Sequence, residues 1–133
     1  MMKKLAVLFV LIAIVTSCKK ERLTAKGPTD VRVKNLTDQT FVNVTVDTGD
    51  EEQIIGTIES GAVSSYFRFE TAFPKAEINA MINGIQYSTG TPDNTYETYI
   101  GPDMITYEVY ISNDAARELK ISNVVLDGPI QDL

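Results

Sequence analysis

The chain has 133 residues, with 12 basic and 18 acidic side chains, one cysteine, no histidine and no tryptophan, for a formal net charge of −6. Once a leader is set aside, that length is one domain's worth. The lack of histidine removes the commonest general base, the serine–histidine triads and nearly all zinc and copper sites, and the acidic balance, repelled by phosphate backbones, argues against nucleic acid as a partner.

The chain opens Met1-Met2-Lys3-Lys4, followed by an uncharged apolar run from Leu5 to Val15. A membrane-spanning helix needs about 20 apolar residues. A secretory signal needs a basic start, an apolar stretch of about 7 to 15 and small residues at the cut. The run fits the second description. The string Val15-Thr16-Ser17-Cys18 then resembles the lipobox of bacterial lipoproteins, with valine where leucine is usual. That resemblance implies a signal peptide over residues 1–17, removal of that segment, and diacylglycerol on the Cys18 thiol. The competing reading is an ordinary secretory signal with Cys18 as a free thiol. A lone cysteine in an oxidising compartment has no partner, and acylation removes the liability. Two or more acyl chains make attachment stable where one is marginal. Lys19, Lys20, Arg22 and Lys26 follow the cysteine and can each add about 1 kcal/mol beside anionic headgroups. Lys19 stands where many inner-membrane lipoproteins carry aspartate, which favours the outer membrane and leaves the periplasmic or surface face open.

Residues 18–29 lack apolar periodicity and close on Gly27-Pro28, so they read as a lipidated basic tether. From Gly27 onward six basic side chains face seventeen acidic ones, a net charge of about −11. A basic tether therefore carries an acidic domain, 30–133, whose field would lift it off an anionic membrane.

The domain reads as strands because period-two patterns dominate. Val31 and Val33 alternate with Arg32 and Lys34. Val42, Val44 and Val46 alternate with polar residues. The polar run 48–52 precedes a short strand at 54–58. A strand is expected over 63–70, with Val63, Ser65, Phe67 and Phe69 on one side. Ala76, Ile78, Ala80 and Ile82 lead into Asn83-Gly84, the strongest short hairpin signal because both turn residues need positive φ; Ile85 and Tyr87 resume after it. Residues 88–103 form a long polar connection, with an edge strand entertained at 96–100. Ile105, Tyr107, Val109 and Ile111 face one way. The stretch 113–120 reads as a hairpin turn, with a helical turn capped by Asn113 as the alternative, and a last strand spans 118–126.

Short strands at this spacing predict an all-β fold, an immunoglobulin-like antiparallel β-sandwich of about seven strands. Tyr107 is a candidate tyrosine corner. The stretches VRVKNLT, VNVTVDTG, GTIESGAVSSYFRF and ITYEVYIS are similar to small Bacteroides-type lipoproteins with immunoglobulin-like domains of unknown function. The resemblance implies an envelope location and a fold, and attaches no activity.

Candidate chemistry is sparse. Asp47-Thr48-Gly49 copies the aspartic protease triplet, but those enzymes need two such aspartates, and the charged Asp50-Glu51-Glu52 follows. The triplet reads as a strand end entering a turn. Asp47, Asp50, Glu51 and Glu52 offer calcium-type oxygens, yet their spacing matches no calcium loop and a solvated hairpin tip is expected. No catalytic residue, metal site or cofactor is assigned. Asn35-Leu36-Thr37 and Asn43-Val44-Thr45 match a glycosylation sequon that a bacterial lipoprotein gives no reason to use. The best binding candidate is the loop 86–103, where Tyr87, Asn94, Tyr96 and Tyr99 offer aromatic faces and amides suited to a sugar or peptide; the alternative is that they pack on the sandwich end. The expectation is a non-enzymatic, lipid-anchored envelope protein that meets an envelope protein or a glycan.

Overall fold

The computed structural model describes residues 27–132; Cys18, the segment 1–17 and the tether up to Lys26 lie outside the described residues. In chain order the strands are β1 (Thr29–Asn35), β2 (Phe41–Asp47), β3 (Glu52–Ile58), β4 (Phe67–Phe69), β5 (Glu77–Ile82), β6 (Ile85–Ser88), β7 (Asp103–Asn113) and β8 (Glu118–Pro129). The described residues contain no helix. The described residues are thus all-β, as their alternation requires. The eight strands join in one mixed sheet ordered β3-β2-β5-β6-β8-β7-β1-β4.

This corrects the expectation of about seven wholly antiparallel strands. β1 pairs with β7 in parallel over Asp30 to Asn35, and β6 meets β8 in parallel at Ser88 and Glu118. A parallel pair needs a long crossover. For β1 and β7 it is the whole stretch from 36 to 102, which includes β2 to β6, and its last part, the loop 89–102, brings the chain to where β7 starts beside β1, running the same way.

Alternation works as expected in β1, β5 and β7. Val31 and Val33 in β1, Ile78, Ala80 and Ile82 in β5, and Ile105, Tyr107 and Val109 in β7 are all buried. In β2 it fails. Val42 is exposed, and Phe41 is buried with Val44 and Val46 instead. Asn43 takes φ 52°, and the β2–β3 register shifts between Phe41 and Val44. Such a bulge adds one residue and reverses the phase of the side chains before it. Asparagine is among the few residues that visit this left-handed region readily.

The expected strand 63–70 is shorter, because only Phe67–Phe69 form a ladder. Val63 makes an isolated bridge to Lys34. Next to it the Val33 N–H donates to the Ser64 hydroxyl at 3.0 Å, so a side chain takes the donor that a continuous ladder would use. No strand forms at 96–100. The Asn83-Gly84 hairpin is present, with φ 51° and 76°. Residues 114–117 make a turn, not a helix, and the Ala116 N–H donates to Asn113 Oδ1 at 3.1 Å. β8 continues past Leu126 to Pro129, facing Asp103 and Met104 of β7.

The two edges of the sheet approach each other and are sewn by side chains. Gln53 Nε2 of β3 donates to the Arg68 carbonyl of β4 at 2.6 Å. The Glu70 N–H donates to Glu51 Oε1 at 2.7 Å, and the Thr71 hydroxyl donates to the Asp50 carboxylate. The sheet therefore curls almost into a barrel. Its interior holds Tyr107, Phe41, Phe69, Ile58, Ile78, Ile105 and Leu119, all but inaccessible to solvent. Burying side chains of this size stabilises the fold by about 1.5–3 kcal/mol each.

Asn35 fixes the end where β1 leaves the sheet. It is fully buried. Its Nδ2 donates to the Gln39 carbonyl at 2.6 Å and to the Ile58 carbonyl at 3.1 Å, while its Oδ1 accepts from the Thr37 N–H at 2.9 Å and the Thr37 hydroxyl at 2.7 Å. The first sequon asparagine is thus an internal strut, with its amide nitrogen committed.

Candidate functional site

The barrel has two ends. β1 and β7 both start at the end where the described chain begins, and both run to the end formed by the turns 36–40, 83–84 and 114–117. The long loop 89–102 leads back to the starting end. There it is tied to the body at several backbone points. Thr29 Oγ1 donates to the Gly101 carbonyl at 2.6 Å. The Ile100 N–H donates to the Ala72 carbonyl at 2.8 Å, and the Ile130 N–H to the Pro102 carbonyl at 3.1 Å.

The four candidate residues associated with this loop are not gathered into one site. Tyr87 is a β6 residue, nearly buried, whose hydroxyl donates to Asp114 Oδ1 at 2.5 Å. That bond, followed by burial and the charge of Asp114, pushes the Tyr87 hydroxyl pKa up. Asn94 borders a small hollow of about 150 Å³ with Asp47 and Glu77. Tyr96 is 96% exposed. Tyr99 stacks on Phe73 with ring centroids 4.7 Å apart and borders a separate hollow with Pro74 and Leu126. Tyr87, Asn94 and Tyr99 therefore face three different cavities, and Tyr96 alone stands clear in solvent.

Tyr107 is not a tyrosine corner. Its hydroxyl donates to the carbonyl of Phe73, 34 residues upstream, at 2.5 Å, whereas a tyrosine corner reaches only a few residues back. The ring spans the core from β7 to the 71–76 segment on which the long loop lies. Burial pushes its hydroxyl pKa well above the ordinary value.

The acidic tip is a structural turn. Asp47 Oδ1 accepts from the Gly49 N–H at 2.8 Å, the turn bond expected of an aspartate at a strand end. Asp50 and Glu51 accept from Thr71 and Glu70. Their oxygens hold the sheet edges together. Among the described residues no group of three or more Asp, Glu, His or Cys side chains is arranged to hold a metal ion.

A concavity beside Tyr87 lies at the turn end. It has a volume of about 430 Å³. Ile82, Ile85, Tyr87 and Ile111 supply its apolar lining, and Asp38, Gln39, Asn83 and Asp114 its polar rim. Asn83 Nδ2 donates to Gln39 Oε1 at 3.2 Å, which joins two of the three turns. β6 and β8 are offset along the sheet, with Ser88 at the end of one paired to Glu118 at the start of the other, so the rest of β6 has no ladder partner on that side, and there the hollow lies. Of its lining, sequence reading picked out only Tyr87. The rest come from strands β5, β6 and β7 and from three turns distant in sequence; alternation and the Asn83-Gly84 signal mark some of them as strand or hairpin residues, but no local pattern marks them as one site.

No family model matches the chain, and no curated protein matches it. Among solved structures it is similar to a protein from Eubacterium rectale determined by NMR, at 17% identity, with a TM-score of 0.50, covering 74% of this chain and 92% of that one. At that identity the likeness extends to the fold and no further.

Proposed function

We propose that this is a non-enzymatic, lipid-anchored protein of the bacterial cell envelope, probed by its partners through a single β-domain. The observation that carries the reading is the order of features in the sequence: a basic start, an apolar run too short to span, Val15-Thr16-Ser17-Cys18, then a basic stretch ending at Gly27-Pro28. The first strand among the described residues begins at Thr29, close behind that stretch. A tether from Cys18 to Gly27 reaches at most about 35 Å, so the domain would work close to the lipid surface. The lysine after the cysteine favours the outer membrane. In its layering the domain is read as immunoglobulin-like, with β3-β2-β5-β6 and β8-β7-β1-β4 as the two faces, since a single residue pair joins them at β6 and β8. No catalytic role is assigned, because the acidic tip is engaged in turn and edge bonds and histidine is absent.

The test is fractionation of cells expressing the wild-type chain and Cys18→Ser. The wild type is expected with the membranes and the variant in the soluble fraction; a variant that stays with the membranes overturns the reading.

A glycan-binding module is the second reading, and the exposure of Tyr96 favours it. Retention on polysaccharide affinity gels that disappears in Tyr96→Ala would support it. Retention that is absent, or unchanged in that variant, removes it.

A further inference from the structure

We infer that the hollow at the turn end is a docking site for a cationic side chain, of lysine or arginine type, presented by a peptide segment of a partner protein. The inference rests on the interaction-domain reading above and gives it a place and a chemistry. The match is in two parts. Ile82, Ile85 and Ile111 offer an apolar channel, and long basic side chains lay their methylene stems along such surfaces while the charged head reaches a polar rim. Asp38 and Asp114 stand on that rim, from two different turns, and no basic side chain lines the hollow. Arg117, whose charge is felt at Tyr87, belongs to the same turn as Asp114 and is not part of the lining. Asp38 is exposed and Asp114 is held by Tyr87, so one carboxylate is adaptable and the other fixed. A volume of about 430 Å³ lies within the roughly 300–1,000 Å³ range of ligand sites.

Position and charge agree with this. The described chain begins at one end of β1 and the hollow lies beyond the other, seven strand residues away, or about 20 Å. If the chain is moored before Gly27, the hollow points away from the mooring. The net charge of about −11 from Gly27 onward draws a basic segment in and repels an acidic one.

The experiment uses the full-length chain in a neutral detergent, with its isoleucine methyl groups labelled for NMR. The probes are three end-blocked peptides, Gly-Lys-Gly, Gly-Arg-Gly and Gly-norleucine-Gly, and a neutral oligosaccharide, each titrated to about 10 mM, a range suited to weak sites. Saturable shifts at Ile82, Ile85 and Ile111 are expected with the lysine or arginine peptide. Affinity should be about tenfold or more weaker for norleucine, which lacks the charged hydrogen bond, and should fall with added salt. Asp38→Asn should weaken binding by itself, so the test survives if Asp114→Asn disturbs Tyr87 and the fold. Equal shifts with norleucine, shifts with the oligosaccharide alone, or no shifts at all would each overturn the inference. These outcomes are independent of where the Cys18→Ser chain fractionates, so the anchoring and the docking stand or fall separately.

Discussion

The two ends of this barrel solve different problems. At the end where the described chain begins, a long polar loop folds back over the core and is tied down through Thr29, Ala72, Ile130 and the stacked Phe73–Tyr99 pair. At the other end three short turns meet around a hollow. Length and aromatic content make the long loop look like a binding surface, yet most of its backbone ties serve closure. The short turns, each unremarkable alone, leave the larger space. The lesson is that loop composition reports what a segment can touch, whereas the offset of the strands beneath decides where there is room.

Several substitutions would break or sharpen that contrast. The largest effect is expected for Asn35→Ala at the turn end. It strips partners from the Gln39 and Ile58 carbonyls and from Thr37, and unsatisfied buried groups cost about 1–3 kcal/mol each. A loss of about 3 kcal/mol in denaturant unfolding is expected; a loss below about 1 kcal/mol would mean that the turn end is not held by this residue.

Tyr107→Phe probes the other end. It leaves the ring in place but removes the donor to the Phe73 carbonyl, at an expected cost of about 1–2 kcal/mol. The same residue makes the fold sensitive to alkali. Burial raises the folded-state pKa of Tyr107, the bond to Asp114 raises that of Tyr87, and burial followed by Asp127 raises that of Tyr66. The unfolded state therefore gives up these protons first. The stability tied to them is fully present below about pH 10 and is lost as pH rises toward the folded-state values. Thermal melts between neutral pH and about pH 11 should show that decline, and Tyr107→Phe should make it shallower. A wild-type profile that stays flat would contradict the burial of this hydroxyl.

Gly84→Ala tests the hairpin bordering the hollow. The glycine has φ 76° and open space around an added Cβ, so only backbone strain opposes the change, by about 1 kcal/mol. A neutral substitution would show that the hairpin tolerates another turn. The smallest effect is expected for Tyr96→Ala. With 96% of its surface exposed, its loss should move stability by less than about 0.5 kcal/mol, and a larger change would mean that the long loop leans on this ring.

The sequence disclosed the strands better than their partners. Alternation located β1, β5 and β7, and Asn83-Gly84 located a hairpin, because these signals are local. The bulge at Asn43 escaped, since nothing nearby distinguishes it from an ordinary polar residue between two valines. The parallel pairing of β1 with β7 escaped because pairing direction depends on where a crossover ends. Asn35 read as part of a sequon, and only the folded chain brings Gln39 and Ile58 to its amide. As a site the hollow was legible at Tyr87 alone: Ile82, Ile85 and Ile111 could be placed on strands, but they meet Asp38, Gln39 and Asp114 only when three strands and three turns converge.

The most direct measurement is the intact mass of the mature chain purified from membranes. The account predicts a polypeptide beginning at Cys18 that carries the added mass of a diacylglyceryl group, with or without a further acyl chain. A mature chain with an unmodified Cys18 thiol would contradict it.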